Sequence, residues 1–178
     1  MVLYFEEIVM NRKGKSLEIS EDYLYYNTSY FPAFYVGFPA MCIGAAERVI
    51  DEFVERTKKR VRLDGSNEGE SPKSQRVAAD LTIKLKAAKG LLVQYIHMLE
   101  TDEGQYSPGL YNGIRVNIVR ECLNIAVIAT SIFGAGALSK GNIFEIMTRD
   151  LLTISTHITS LYEDGMLNMG QALFGITA

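Results

Sequence analysis

From about Pro32 to the end of the chain the apolar residues keep a helical period, and a chain with that rhythm over most of its length folds as helices packed on helices. In the first stretch Ala40, Ile43, Ala46, Val49, Ile50, Phe53 and Val54 share one face, while Glu47, Arg48, Asp51, Glu52, Glu55 and Arg56 crowd the other. Gly37, Ala40, Gly44, Ala45 and Ala46 are small enough to admit another backbone closely. Lys58, Lys59, Arg60 and Arg62 end this helix with charges that suit its negative C-terminal dipole, and LDGSNEGESP reads as a loop.

Three more long helices follow. Ser71 before Pro72 is a good N-cap with proline at the first helical position, and the stripe Val77, Leu81, Leu85, Ala88, Leu92, Tyr95, Ile96, Leu99 predicts a helix from Pro72 to Glu103. After the turn DEGQYSPG, Leu110 to Phe133 carries Ile114, Ile118, Cys122, Ile125, Ala129 and Ile132 on one face. The fourth helix, Asn142 to Leu161, has the stripe Ile143, Met147, Leu151, Ile154, Ile158, Leu161. GMLNMGQALF, Gly165 to Phe174, adds a short fifth. Long helices joined by short turns predict an all-α, four-helix up-and-down bundle over 30–178. Residues 1–29 differ: MVLYFEEIVM, a turn at Asn11 to Gly14 and LEIS predict a short β-hairpin-like segment, marginal unless it leans on something.

The totals restrict the function. At 178 residues and net charge -3 the chain has the size of one domain and no basic field for nucleic acid. Its longest apolar run, Phe31 to Ala46, is broken by Pro32, Gly37, Pro39 and Gly44 and is short for a bilayer span, so no membrane partner is expected. Cys42 and Cys122 fall inside apolar helical patterns and read as buried free thiols in a reducing, cytoplasmic setting. No dinucleotide fingerprint, Walker loop, nucleophile elbow or metal-spaced cluster occurs, so no metal is expected.

What remains is sparse. Asp150, Thr153 and His157 fall along one edge of the fourth helix's stripe, where they can border a cavity; equally, Arg149 and Asp150 can make surface pairs and His157 can be a hydrogen-bonded boundary residue. His97 lies at the far end of its helix and is assigned no chemistry. Arg60, Arg62 and, in the first turn of the second helix, Gln75 can meet an anion, or can be a dipole cluster beside a solvated loop. Gly134 and Gly136 can admit a ligand or simply end a helix.

In order, GAAERVIDEFVERTKKR, ESPKSQRVAADL, FGAGAL and RDLLTISTH resemble the C-terminal helical domain of the acyl-CoA dehydrogenase superfamily, over roughly residues 30 to 175. The resemblance is closer to the flavin-dependent monooxygenase branch, the oxygenase components of 4-hydroxyphenylacetate 3-hydroxylase and related enzymes. It implies that YFEEIVM is the last strand of a preceding β-domain, and that the chain begins where the N-terminal helical domain and nearly all of that β-domain have passed. It also implies FAD or FMN as cofactor. The dehydrogenases' catalytic glutamate has no counterpart, since the matching positions hold His157 and Ile158. The monooxygenases place a histidine at the position of His157, where it assists oxygen activation or deprotonates a substrate phenol, and an imidazole suits that task. Arg60 or Arg62 and Gln75 match positions that contact flavin phosphates, and Gly134 and Gly136 match a loop that approaches a neighbouring subunit's cofactor.

Three functions are therefore open. The first is the bundle domain of a flavin-dependent oxidoreductase or monooxygenase, incomplete alone, with His157 as acid-base residue oriented by Asp150 or Thr153. It would assemble as a homo-oligomer, a dimer or tetramer, with or without a separately encoded flavin-binding subunit. The second is a non-catalytic helical oligomerisation module that keeps the scaffold. The third is an acyl-CoA dehydrogenase proper.

Overall fold

The computed structural model describes residues 30–101 and 108–176. The predicted strands at 4–10 and 17–19 lie outside them, as does the turn at 102–107. Among the described residues there is no strand, only an isolated bridge between Val61 and Asn67. The helices are α1 (Tyr30–Tyr35), α2 (Gly37–Lys59), α3 (Pro72–Thr101), α4 (Pro108–Phe133), α5 (Ile143–Ser155) and α6 (Tyr162–Leu173).

Three arms stand antiparallel. Lys89 on α3 reaches Glu47 on α2 at 2.7 Å, and the Tyr95 hydroxyl donates to the Pro32 carbonyl at 2.8 Å. Tyr95 and Tyr111 then meet edge to face at 4.9 Å, joining the end of α3 to the start of α4. Phe53, Leu81, Ile118, Ile125, Phe144 and Leu151 are fully buried where the helices converge. By length and composition alone, Pro32–Lys59 and α4 would suffice to cross a membrane; here both pack into this core.

α2 is long because its outer face is laced at one-turn spacing. Arg48 to Glu52 is 2.9 Å, Arg56 to Glu52 2.6 Å and Lys59 to Glu55 3.1 Å, each pair contributing about 0.3–0.5 kcal/mol. It stops at Lys59, and Arg60 is already extended, so Arg60 and Arg62 lie on the turn beyond the helix. Asn67 closes that turn by donating to the Lys58 carbonyl at 2.9 Å and accepting from the Gly69 amide at 2.7 Å.

The fourth arm departs from expectation. The helix predicted as Asn142 to Leu161 ends at Ser155, and a new helix starts at Tyr162 rather than Gly165. The cause is a run of hydroxyls: Thr153 donates to the Arg149 carbonyl at 2.8 Å, and Ser155 and Thr156 donate to that of Leu152 at 2.8 and 3.0 Å. Such side chains compete for the carbonyls that would continue the ladder. Ile158, expected on the buried stripe, is 78% exposed.

The two pieces nevertheless run as one arm along α4. Thr130 meets Thr148 at 3.0 Å and Phe133 stacks on Phe144 at 5.1 Å, while nearer the start of α4, Arg120 lies over Tyr162 at 4.6 Å. α6 then presses onto α4 at glycines. A Cβ on Gly109 would strike the Asn168 carbonyl oxygen, one on Gly113 the Met169 side chain, and one on Gly165 would lie 2.6 Å from both Val116 methyls. Gly37 and Gly44, expected to admit a neighbour, have nothing within 4 Å.

Candidate functional site

The break in the fourth arm presents His157. Its backbone is extended, and its Nδ1 accepts from the Thr159 amide at 3.3 Å and lies 2.8 Å from the Thr159 hydroxyl. An Nδ1 that accepts leaves the neutral ring's proton on Nε2, so the local turn selects the tautomer. One face of the ring stacks on Phe38 in the first turn of α2, with centroids 5.9 Å apart. The residue is exposed.

His157 is thus held by a turn and an aromatic ring, not by the edge of a helix. Thr153 spends its hydroxyl on its own helix, and Asp150 pairs with Arg149 at 3.7 Å, both side chains more than half exposed. Arg149 also reaches Glu145 at 2.7 Å. Neither Asp150 nor Thr153 has a hydrogen bond to His157, so the surface-pair alternative describes Asp150.

The other predicted residues gather at the opposite end of α2. Arg62 grips Glu68 through Nε at 3.0 Å and Nη2 at 3.1 Å, and Ser74 in the first turn of α3 donates to the same carboxylate at 2.5 Å. These bonds, Arg62's first, lower the Glu68 pKa to about 2. Gln75 donates to the Gly69 carbonyl at 3.1 Å. Arg60 has no such carboxylate and rests over the Phe133 ring at 5.8 Å. Its cavity, about 260 Å³, is lined by Arg60, Arg62, Glu68, Lys73, Ser74 and Ile132. Three cations face one carboxylate there, and the surplus positive charge fits a phosphate-bearing group. Lys73 was not singled out by sequence, although it stands two residues before Gln75.

Gly134 and Gly136 lie at the same end. Gly134 has φ 69° and ψ -160°, a conformation suited to glycine, and turns α4 into the short 3-10 segment Ala135–Leu138. Asn142 caps α5 by accepting from the Phe144 amide at 3.2 Å and ties back by donating to the Gly136 carbonyl at 3.1 Å. Phe38 and Arg60 are separated by the whole of α2, about 33 Å at 1.5 Å per residue. His157 and the cationic pocket therefore do not share one site on a single bundle.

Residues 36–160 match the profile of the family described as acyl-CoA dehydrogenase, C-terminal domain. The chain belongs to that family. Within it, this acyl-CoA dehydrogenase-type bundle is 25% identical over 175 residues to the oxygenase component of p-hydroxyphenylacetate 3-hydroxylase from Acinetobacter baumannii, covering 94% of the chain and 42% of that relative. It spans less than half of the relative's length. Among solved structures, XiaF from Streptomyces sp., determined with FADH2 and glycerol, superposes with a TM-score of 0.75 at 16% identity, over 84% of this chain and 40% of that one. Glutaryl-CoA dehydrogenase from Mycobacterium smegmatis gives 0.73 at 22% identity, over 83% and 37%. The bundle fold is thus shared with an FADH2-bound structure and with a glutaryl-CoA dehydrogenase.

Proposed function

We propose that this chain is the bundle portion of a two-component flavin-dependent monooxygenase, and that His157 is its proton-handling residue. The observation that supports this most is the exposed imidazole at the break of the fourth arm, whose Nδ1 takes the Thr159 amide and whose face lies on Phe38, leaving Nε2 outward. A bound flavin would supply the redox chemistry and the activation of oxygen. This chain's part is to hold Nε2 in one direction, so that its proton can be given to or recovered from a reacting oxygen without reorganisation.

Arg60, Lys73 and the Gly134 to Gly136 turn would attend the phosphates of a flavin. Since that end is about 33 Å from Phe38 along α2, two copies of the bundle would share each flavin, one giving His157 and the other Arg60. The exposed Leu167, Leu173, Phe174 and Ile176 on and after α6 offer apolar surface for such self-association. FAD suits the reading better than FMN, because its second phosphate adds a charge for the cationic pocket.

The test is reconstitution of the chain with a β-domain of the kind its resemblance implies, supplied in cis or as a separate polypeptide, reduced FAD and a phenol. His157→Asn is expected to lower hydroxylation at least tenfold with flavin binding unchanged, and Arg60→Gln to weaken flavin binding. Full activity in His157→Asn refutes the assignment. If no combination ever retains flavin, the non-catalytic scaffold is the correct reading.

A further inference from the structure

A second cavity lies between the start of α4 and the ends of α1 and α3, about 150 Å³ in volume and lined by Pro32, Tyr35, Tyr95, Tyr111, Asn112 and Arg115. Its notable member is Arg115, only 6% exposed. The guanidinium is covered on one face by the Tyr35 ring at 4.6 Å and donates through Nη2 to Asn112 Oδ1 at 3.1 Å. Its Nε is buried without a hydrogen-bond partner, and no carboxylate pairs with the group among the described residues. Burial lowers the Arg115 pKa from its usual value, with Tyr95 and Tyr35 opposing the shift. The guanidinium is nonetheless carried as a charge, since arginine is not deprotonated in proteins.

A buried charge with no carboxylate partner among the described residues is costly, and such an arginine is best relieved by a planar anion that accepts from two of its donors. We propose that Arg115 is the anchor of a binding site for a small monocarboxylate with an apolar body. One negative charge matches the single cation; a phosphate dianion would leave a buried surplus. Asn112, whose side-chain amide nitrogen donates to no group among the described residues, is the second donor. The tyrosine rings and Pro32 form the walls against which the apolar body rests, and the volume excludes large ligands.

The site stands apart from the flavin reading and does not need it. It is joined to the His157 end by rings alone: Arg115 on Tyr35, Tyr35 to Phe38 at 6.1 Å, and Phe38 on His157.

The experiment is titration of the flavin-free full chain with benzoate, benzamide and inorganic phosphate. Calorimetry and tyrosine fluorescence serve as readouts, the latter usable because the chain has no tryptophan. Benzoate is expected to bind, the isosteric neutral amide at least tenfold more weakly, and phosphate not to compete. Arg115→Gln should abolish benzoate binding, and Arg115→Lys, which keeps the charge but not the planar fork, should weaken it. Benzamide binding as tight as benzoate, phosphate displacing benzoate, benzoate binding unchanged in Arg115→Gln, or no benzoate binding to the unmodified chain each overturns the proposal. The comparison of acid and amide on the unmodified chain decides the matter even where Arg115→Gln does not fold.

Discussion

The imidazole of His157 lies on the ring of Phe38 with the two planes inclined by only 24°. This contact fastens the gap in the fourth arm to the first turn of α2. Phe38→Ala should remove about 0.5–1.5 kcal/mol of stacking and shift the His157 ring carbon resonances, while the helical circular dichroism stays unchanged. Unaltered His157 resonances would show that the stacking is absent in solution.

The Glu68 carboxyl, lowered to about 2 from an ordinary 4.5, makes the turn after α2 sensitive to acid. Because the folded value lies below the unfolded one, the stabilisation is complete above about pH 4.5 and is lost as the pH falls through about 2. Hydrogen exchange at the Gly69 and Ser71 amides should accelerate across that window beyond the intrinsic trend. In Glu68→Gln the extra acceleration should vanish.

Cys42 and Cys122 are both fully buried, and burial raises the Cys42 pKa to about 12 and that of Cys122 likewise upward. A thiol-specific disulfide reagent at pH 8 should therefore find neither group in the folded chain and both in urea. Rapid labelling under native conditions would contradict the packing of α2 on α4.

The two glycines after α4 should separate folding from ligand contact. Gly134→Ala is expected to cost about 1–3 kcal/mol, because its positive φ strains any other residue although nothing crowds its Cβ. Gly136 has neither a positive φ nor a neighbour within 4 Å, so Gly136→Ala should leave the urea midpoint unchanged. If this turn approaches a flavin in the assembled enzyme, the same substitution should weaken flavin binding, which equilibrium dialysis would detect.

Gly109 offers the opposite case. Helix propensity alone favours alanine by about 1 kcal/mol, yet the new methyl would strike the Asn168 carbonyl, a backbone atom that cannot swing aside. Gly109→Ala should be destabilising on balance by about 1–3 kcal/mol. A rise in melting temperature would mean that α6 packs less closely than described.

The buried face of α2, the end of α4 at Phe133 and the all-α bundle could be read from the period of apolar residues, because one side of each helix faces the core. The break at Thr156 could not, since Ile154, Ile158 and Leu161 prolong the stripe in register; only the hydroxyl run at Thr153, Ser155 and Thr156 signalled it. That run moved His157 from a helix edge onto a turn. Arg115 was invisible for another reason: in a helix buried nearly all round, period does not distinguish a solvated arginine from an enclosed one. Gly109, Gly113 and Gly165 carry the closest packing, but which glycine meets which partner is a property of two helices together. The distance between Arg60 and His157, by contrast, follows from counting residues along α2.

α4 touches every other long helix, and this has a consequence for how the chain comes into being. During synthesis α2 and α3 emerge before α4 and can pack on each other ahead of it. The apolar faces that will meet the late-arriving helix stay wet until Phe133 has cleared the ribosomal tunnel. A nascent chain stalled before that point leaves Phe53, Leu81 and Leu85 without the helix that completes their burial, and that is the interval in which a chaperone would find it.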